Sequence, residues 1–278
     1  MEQNNNPTLD FYNDFIRIPF GNDVTYESLK VKYFSEQLQE NTLYKYISFD
    51  TDDGLNEKKL TALENDQLWF AAPHVLRNND PSEFQINANT CRVAKATGWT
   101  MQNVIKFLNT LREYNDLCCL SDRLHEFMWM NYANNHSGCC CVFEIKNTEM
   151  LMPVIYCDKK KTDFTQELIR FMKNPDIDGS ALKTLAFVCP SLKDKEKYEN
   201  EHEVRLLCAD AYDSENGPLG GRIAEGKKEA IGYAGTYYSY AKCGLSLKKI
   251  IIGKNAPISI IERIKTFQLG VDIEIETY

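Results

Sequence analysis

Two short apolar runs with adjacent cysteines constrain the fold of this chain most. They are DLCCLS at 116–121 and GCCCVFEI at 138–145. A short continuous apolar run is typical of a buried strand. Adjacent strand residues point to opposite faces, so neighbouring cysteines cannot ligate one metal without distortion. We therefore predict two buried strands whose cysteines are reduced and packed as small core residues, because no cysteine has flanks that mark it as reactive.

The remaining patterns alternate between helix and strand without a strict β-α-β rhythm. This favours an α+β fold with a mixed, largely antiparallel, twisted sheet flanked by helices. We expect a loosely structured lead-in at 1–22 and one α+β domain over 23–278. Segment 73–83 is predicted to be a loop, and the glycine-rich segment 213–229 a surface loop or hairpin connection. The predicted helices cover 26–39, 57–64, 101–114, 124–134, 164–173, 180–189 and 257–267, and further strands cover 43–49, 68–71, 152–156, 203–208, 230–240, 249–252 and 271–277.

Charge and hydropathy exclude several classes of protein. The net charge of −8 does not favour non-specific binding to nucleic acid. No apolar run approaches the roughly 18–20 residues that a membrane span needs. The segment MEQNNNPTLDFYNDF has neither the basic nor the apolar region of a signal peptide. These features predict a cytoplasmic protein without a membrane partner.

Two polar segments in the first third could bind a ligand. Tyr44, Lys45 and Tyr46 lie on an early strand, where they form either a solvated strand face or a platform of rings and a cation for a nucleotide. The segment NNDPSE at 78–83 has ordinary turn chemistry. It could also present the carboxylates of Asp80 and Glu83 to a ligand.

The most unusual segment is MWMNYANNHSGCCCVF at 128–143. On a helix, Trp129, Tyr132 and His136 fall at i, i+3 and i+7 and share one face. His136 followed by Gly138 is also a common arrangement at a helix C-terminus, where glycine supplies the left-handed residue. The density of hydrogen-bonding groups beside an apolar strand favours a functional site, since buried polar groups need partners and a ligand can be one.

A fourth set of polar residues enters a late strand. Glu201, Glu203 and Arg205 are spaced at period two, so they are predicted to share one face. They form either an internal ion-pair ladder or part of an active site. The chain has no P-loop, no G-x-S-x-G and no H-E-x-x-H motif.

These clusters, in this order, resemble the largely bacterial domain of unknown function (DUF) 2971 family. The resemblance runs from about Leu43 to Gly253. Its specific parts are the Trp–Tyr–His–Gly motif and the Glu-x-Glu-x-Arg motif. The chain departs from the family at Leu120, where an aromatic residue is usual, and at Tyr198, where tryptophan is usual.

The order of elements also resembles that of ADP-ribosyltransferases. The resemblance implies NAD as substrate, with Lys45 or Tyr46 near the early NAD-holding position, which has no His or Arg here. It puts Ser121 near the nicotinamide pocket and Glu201 or Glu203 at the catalytic position. The expected function is therefore an NAD-using transferase or glycohydrolase, of the kind found among bacterial toxins and phage-defence effectors. The expected catalytic residues are Glu201, Glu203 and His136, and the expected nucleotide-binding residues are Tyr44, Lys45, Tyr46, Asp80, Ser121, Trp129, Tyr132 and Arg205.

Two alternatives stay open. The same groups could form a non-catalytic module that binds a nucleotide, a nucleic-acid end or a protein partner. A metal-dependent nuclease would instead use the four carboxylates of Asp80, Glu83, Glu201 and Glu203; apart from this alternative, no metal is expected. In each case we expect the motifs to meet around one cleft.

Overall fold

The two cysteine-bearing runs lie on either side of one strand in the middle of a large sheet. The computed structural model describes residues 6–19, 22–51, 53–158, 162–174, 179–208 and 232–276. Strand β1 (Thr42–Ile47) is antiparallel to both β3 (Asp116–Ser121) and β4 (Cys139–Ile145). β1 is paired with β4 along its whole length, whereas it is aligned with β3 at Tyr44–Ser121. The strands β1 and β3 therefore diverge beyond that point.

The other elements surround this centre. The remaining strands are β2 (Gln67–Ala71), β5 (Leu151–Pro153), β6 (Ile155–Cys157), β7 (Leu192–Asp194), β8 (Glu203–Cys208), β9 (Gly235–Ser239), β10 (Leu245–Ile252) and β11 (Asp272–Ile275). The helices in the described residues are α1 (Pro7–Phe15), α2 (Asp23–Gln37), α3 (Asp53–Glu64), α4 (Pro73–Asn79), α5 (Thr90–Thr97), α6 (Met101–Arg112), α7 (Glu126–Tyr132), α8 (Thr165–Lys173), α9 (Gly179–Lys183), α10 (Lys195–Tyr198) and α11 (Ile258–Lys265).

Within the described residues, the sheet has nine strands and is largely antiparallel. Its order is β11-β10-β4-β1-β3-β2-β9, with β8 paired to β3 and β5 paired to β8. The pair β10–β11 is parallel, and β6 and β7 form a separate parallel pair. Helices flank the sheet, so the predicted α+β class with a mixed, largely antiparallel sheet is confirmed.

Strand β4 shows why its cysteines are neighbours. Cys139, Cys141 and Phe143 point into the main core, while Cys140 points to the other face and packs with Tyr46. All ten cysteines are free thiols, and those of both apolar runs are buried except Cys119, which is half-buried. The prediction of reduced cysteines used as small core residues is confirmed.

The N-terminal segment differs from its prediction as a loosely structured lead-in. Residues 7–15 form α1, which begins with the Asn6 side chain accepting a hydrogen bond from the Leu9 amide. Phe11, Tyr12 and Phe15 of α1 are buried in a second core. That core also contains the β8 residue Leu207. Aromatic residues at positions 11, 12 and 15 repeat at helical spacing, so the segment can bury one face on the sheet.

Three further expectations need comment. Segment 73–83 is not a loop throughout, because α4 begins at Pro73, and proline is well suited to the first turn of a helix. Helix α2 begins three residues earlier than predicted, with Asn22 rather than Thr25 as its cap. All of segment 213–229, and positions 230 and 231 of the strand predicted at 230–240, lie outside the described residues. No helix among the described residues has the length and apolar character to cross a membrane.

Candidate functional site

Strand β8 separates apolar and charged side chains between its two faces. Val204 and Leu206 point into the main core, whereas Glu203 and Arg205 point to the face covered by α1. The Nε atom of Arg205 donates to Oε1 of Glu203 at 2.7 Å. Arg205 is 1% exposed and Glu203 is 5% exposed, so this ion pair is removed from solvent. The shared face predicted for these two residues is confirmed.

Three more charged residues complete a buried cluster, here called the ion network: Glu83, Lys193, Glu201, Glu203 and Arg205. Nη2 of Arg205 donates to Oε1 of Glu83 at 2.8 Å. The Lys193 ammonium donates to Glu203 at 2.5 Å and also to Glu201. Nη1 of Arg205 donates to the Pro190 carbonyl. Five residues from three separate parts of the sequence therefore share one chain of charged hydrogen bonds.

Local backbone geometry brings the two glutamates to the same ammonium group. Glu201 ends a 3-10 turn, and the next residue, His202, has a left-handed conformation with φ of 49°. This residue turns the chain into β8, so Glu201 is not an ordinary strand neighbour of Glu203. Ser121 supports the turn, because its hydroxyl lies 3.1 Å from the Glu201 carbonyl.

The ion network has three carboxylates and two cations, so one negative charge is not balanced within it. Burial alone would raise the pKa of Glu203, but Arg205 and Lys193 hold that pKa well below its ordinary value. The pKa of Glu201 is raised, chiefly by burial, which outweighs the attraction of Lys193. The second oxygen of Glu83, Oε2, has no hydrogen-bond partner among the described residues. Glu203 is therefore a fixed anion, and Glu201 is the more easily protonated of these two glutamates.

Glu201 also connects the ion network to a residue that is exposed to solvent. Its Oε1 accepts a hydrogen bond from the hydroxyl of Tyr132, a residue that is 39% exposed. The Lys193 ammonium lies 4.6 Å from the ring centre of Tyr198, and the Tyr198 hydroxyl is hydrogen-bonded to Asp80. Tyr132 and Asp80 therefore lie at the edge of the ion network. Glu201 is the carboxylate of the network that contacts Tyr132 at this edge.

Three other predicted nucleotide-binding residues, Tyr44, Lys45 and Ser121, lie on strands near this edge, and their side chains have different orientations. Tyr44, Ser121 and Glu203 are aligned in one row across β1, β3 and β8, and Tyr44 is half-buried. Lys45 points differently, since its ammonium donates to the Cys119 carbonyl at 2.9 Å where β1 and β3 diverge. Lys45 therefore joins two strands, and Tyr44 keeps exposed ring surface on the face of the ion network.

Tyr46, Trp129 and His136 form a separate aromatic stack. The rings of Tyr46 and Trp129 meet edge to face at 5.3 Å, and those of Trp129 and His136 are parallel at 5.5 Å. All three residues are buried. Because their faces are covered by one another, they support α7 rather than offer a free platform for a ligand ring. His136 is linked to the ion network through α7, which carries both Trp129 and Tyr132.

The backbone conformation explains the residue types of the Asn-Asn-His-Ser-Gly segment at 134–138. Asn134, Asn135 and His136 all have positive φ values, and Asn and His tolerate this conformation better than most residues. The left-handed residues are therefore these three rather than Gly138. Gly138 is needed for close approach, because a Cβ atom there would lie 2.0 Å from the Ile47 carbonyl oxygen.

His136 also belongs to a group that could hold a metal ion. Its Nδ1 lies 2.6 Å from Glu276 and its Nε2 lies 3.1 Å from Glu126. The possible ligand atoms of these three residues all lie within 4.8 Å of one another. Glu126 is largely exposed, and a carboxylate on each ring nitrogen also satisfies a protonated imidazole without a metal.

A cavity of about 630 Å³ lies on the same face of the sheet, lined by residues that include Phe15, Tyr26, Lys30, Met152 and Leu207. This volume is in the range of small-molecule sites. Burial lowers the pKa of Lys30 to about 8, and its ammonium donates to the Glu149 carbonyl. Its lining residues come from outside the ion network, although Leu207 follows Arg205 on the same face of β8.

Lys193 is the functional candidate that sequence reasoning missed. It lies on β7 between Leu192 and Asp194 and is 6% exposed. A signal was available, because the Glu-x-Glu-x-Arg motif carries two carboxylates and one cation, so its burial favours a second cation nearby. No family model, curated protein or solved structure matches this chain.

Proposed function

We propose that this chain is an NAD-using enzyme of ADP-ribosyltransferase or NAD-glycohydrolase type, with Glu201 as its acting carboxylate. The observation that carries the proposal is the contrast between two neighbouring glutamates. Glu203 is held ionised by two cations, whereas Glu201 has a raised pKa and contacts the exposed Tyr132. Neighbouring carboxylates whose environments push their pKa values apart are typical of acid–base sites.

The proposed mechanism gives each residue a distinct role. The bond between the ribose and nicotinamide breaks, and its electron pair leaves with nicotinamide. The ionised Glu201 stabilises the positive charge that develops on the sugar and then accepts a proton from the attacking water or hydroxyl group. Tyr132 and Tyr44 border the substrate, while Glu203, Lys193 and Arg205 position Glu201 without touching the reacting atoms.

The resemblance to ADP-ribosyltransferases supports the class of reaction, and the resemblance to the DUF2971 family supports only the choice of site residues. The Glu-x-Glu-x-Arg motif of the DUF2971 family contains both Glu201 and Arg205. The ADP-ribosyltransferase-like order of elements assigns the catalytic position to Glu201 or Glu203, and the pKa contrast favours Glu201. A role as a bacterial toxin or phage-defence effector acting in the cytoplasm belongs to the same proposal.

Incubation with NAD tests the proposal directly. Wild-type protein is expected to release nicotinamide or to transfer labelled ADP-ribose to a protein or nucleic acid. Glu201→Gln and Tyr132→Phe should lower the rate by about a hundredfold and about tenfold. Glu199→Gln is the matched control, because Glu199 is exposed and pairs with Lys195 at the surface. The proposal fails if wild-type protein never consumes NAD, or if Glu201→Gln and Glu199→Gln behave alike.

One observation favours a non-catalytic binding module as the second candidate. Almost every charged atom of the ion network is bonded within the chain, which is also typical of a structural ion cluster. This candidate predicts saturable binding of a nucleotide or partner, unchanged in Glu201→Gln, with no turnover. A metal-dependent nuclease is the weakest candidate, since Lys193 and Arg205 already bond the carboxylates that a divalent cation would need.

A further inference from the structure

A second charged cluster lies between α4 and the end of α6, here called the arginine cluster: His74, Arg77, Arg112 and Glu113. Nη2 of Arg77 donates to Oε1 of Glu113. The other Glu113 oxygen, Oε2, lies 3.7 Å from Nδ1 of His74. Glu113 is 5% exposed, and its side chain is therefore enclosed by these basic groups.

Unpartnered buried atoms are concentrated in this cluster. Eight buried side-chain nitrogen and oxygen atoms in the described residues have no hydrogen-bond partner, and four of them belong to the arginine cluster. They are Nδ1 of His74, Nη1 of Arg77, Nε of Arg112 and Oε2 of Glu113. Buried polar groups in folded proteins are nearly always hydrogen-bonded, so such a concentration points to a missing partner.

The sign of that partner follows from the charges. His74 and Oε2 of Glu113 face each other, which leaves Nη1 of Arg77 and Nε of Arg112 as donors without an acceptor. Burial lowers the pKa of Arg112, and the nearby Arg77 lowers it further against the opposing effect of Glu113. The cluster therefore contains two guanidinium groups and one carboxylate, which is bonded to Arg77, so it has an excess of positive charge.

Helix position explains only part of this arrangement. Arg77 and Arg112 lie in the last turns of α4 and α6, where the negative end of a helix favours a cation. That effect accounts for a positive charge at each place. It does not supply an acceptor for Nη1 of Arg77 or Nε of Arg112, which point away from solvent.

We propose that the arginine cluster is a binding site for a tetrahedral oxyanion, either free phosphate or the phosphate of a phosphomonoester. Guanidinium groups match the spacing of phosphate oxygens and donate charge-assisted hydrogen bonds to them. A phosphate has enough acceptors to satisfy Arg77 and Arg112 together. The site is independent of the ion network, so it stands whether or not the chain uses NAD.

The test measures thermal unfolding and calorimetric binding with potassium phosphate, against potassium chloride at equal ionic strength. Phosphate is expected to raise the melting temperature saturably, and Arg112→Gln should weaken phosphate binding by roughly tenfold to a hundredfold. Arg17→Gln is the matched control, because the Arg17 side chain is 77% exposed. A parallel titration with a nucleoside monophosphate distinguishes free phosphate from a phosphomonoester, because the preferred ligand reaches half-saturation at the lower concentration.

A second measurement uses wild-type protein only and so does not depend on the folding of a variant. Phenylglyoxal labels accessible arginines, and mass spectrometry should show that phosphate protects Arg77 and Arg112 but not Arg17. Equal stabilisation by chloride and phosphate, retention of phosphate binding in a folded Arg112→Gln protein, or the absence of protection would each overturn the proposal.

Discussion

Tyr132 donates its phenolic hydrogen bond to the carboxylate of Glu201, which lies 69 residues further along the chain. This contact joins the Trp–Tyr–His–Gly motif to the Glu-x-Glu-x-Arg motif. Among the described contacts of the Glu201 carboxylate, Tyr132 at the edge of the ion network is the partly exposed side chain, whereas Lys193 is buried. The two motifs thus meet at one residue pair, while the aromatic stack of Trp129 and His136 supports the helix behind it.

Replacing each glutamate with glutamine should separate structure from chemistry. Glu203→Gln leaves Arg205 and Lys193 buried without their main counter-charge, so we expect a loss of about 3–5 kcal/mol in the free energy of unfolding. Glu201→Gln keeps an acceptor for Tyr132 and removes the excess charge, so its cost should be about 1 kcal/mol or less. Urea unfolding measures both values, and equal losses would contradict the assignment of different roles.

The raised pKa of Glu201 predicts a specific dependence of stability on pH. Above the ordinary value of 4.5, the unfolded chain releases a proton that folded Glu201 still holds. The stability contribution of Glu201 is therefore full below pH 4.5 and falls as the pH rises through its folded pKa. Glu203 acts in the opposite direction, because its depressed pKa stabilises the fold above pH 4.5 and this stabilisation is lost on acidification.

Unfolding free energies measured from pH 4.5 upward test this sign, because the effect lies between the ordinary and the raised pKa of Glu201. The free energy of unfolding of Glu201→Gln relative to wild type should rise with pH. The rise is up to about 1.4 kcal/mol per pH unit between pH 4.5 and the raised pKa of Glu201. The exposed Glu199→Gln control should show no such gain. A flat difference between Glu201→Gln and wild type would mean that the pKa of Glu201 is not raised.

Helix α1 is predicted to be a stabilising part of the fold. Phe11 is 3% exposed and packs in the core that covers the charged face of β8. Phe11→Ala should lower the free energy of unfolding by about 3–5 kcal/mol through lost burial and a new cavity. Leu9→Ala on the same helix is the control, since Leu9 is 46% exposed, and its cost should stay within about 0.5 kcal/mol. Similar small effects from both variants would show that α1 contributes little.

Gly253 is predicted to be irreplaceable because of a close backbone approach. A Cβ atom there would lie 2.1 Å from the His136 carbonyl oxygen, and Gly253 itself donates to the Gly138 carbonyl. We expect Gly253→Ala to cost about 2–3 kcal/mol and to perturb the near-ultraviolet circular dichroism of the protein, to which Trp129 contributes through its stacking on His136. Gly270→Ala has open space around it and should cost only about 1 kcal/mol for its positive φ. A near-ultraviolet circular dichroism spectrum unchanged by Gly253→Ala would contradict this account.

The sequence predicted the centre of the fold well, because the relevant signals are local. The run DLCCLS became β3 at its predicted bounds, and EVRLLC became β8 at its predicted bounds. In both, a short apolar run or an alternation of charged and apolar residues is visible within six positions. The expected sharing of one face by Glu203 and Arg205 follows from the same period of two.

Long-range pairing explains what the sequence missed. Lys193 lies in a short strand with no unusual local pattern, and only the fold brings its ammonium between Glu201 and Glu203. Residues 7–15 were predicted to belong to a loosely structured lead-in, because the burial of the α1 aromatic residues depends on the surface offered by β8. Similarly, Trp129 was expected to bind a nucleotide and His136 to be catalytic, whereas tertiary packing places the Trp129 ring against both His136 and Tyr46.

The sequence by itself determined the α+β class, the buried cysteine-bearing strands and the charged face of β8, because periodicity and apolar runs act over a few neighbouring residues. Only the tertiary structure decided which charges meet. It left Glu201 with a raised pKa beside Tyr132 and made Glu203 a fixed anion, since both outcomes depend on burial and on cations contributed by distant parts of the chain.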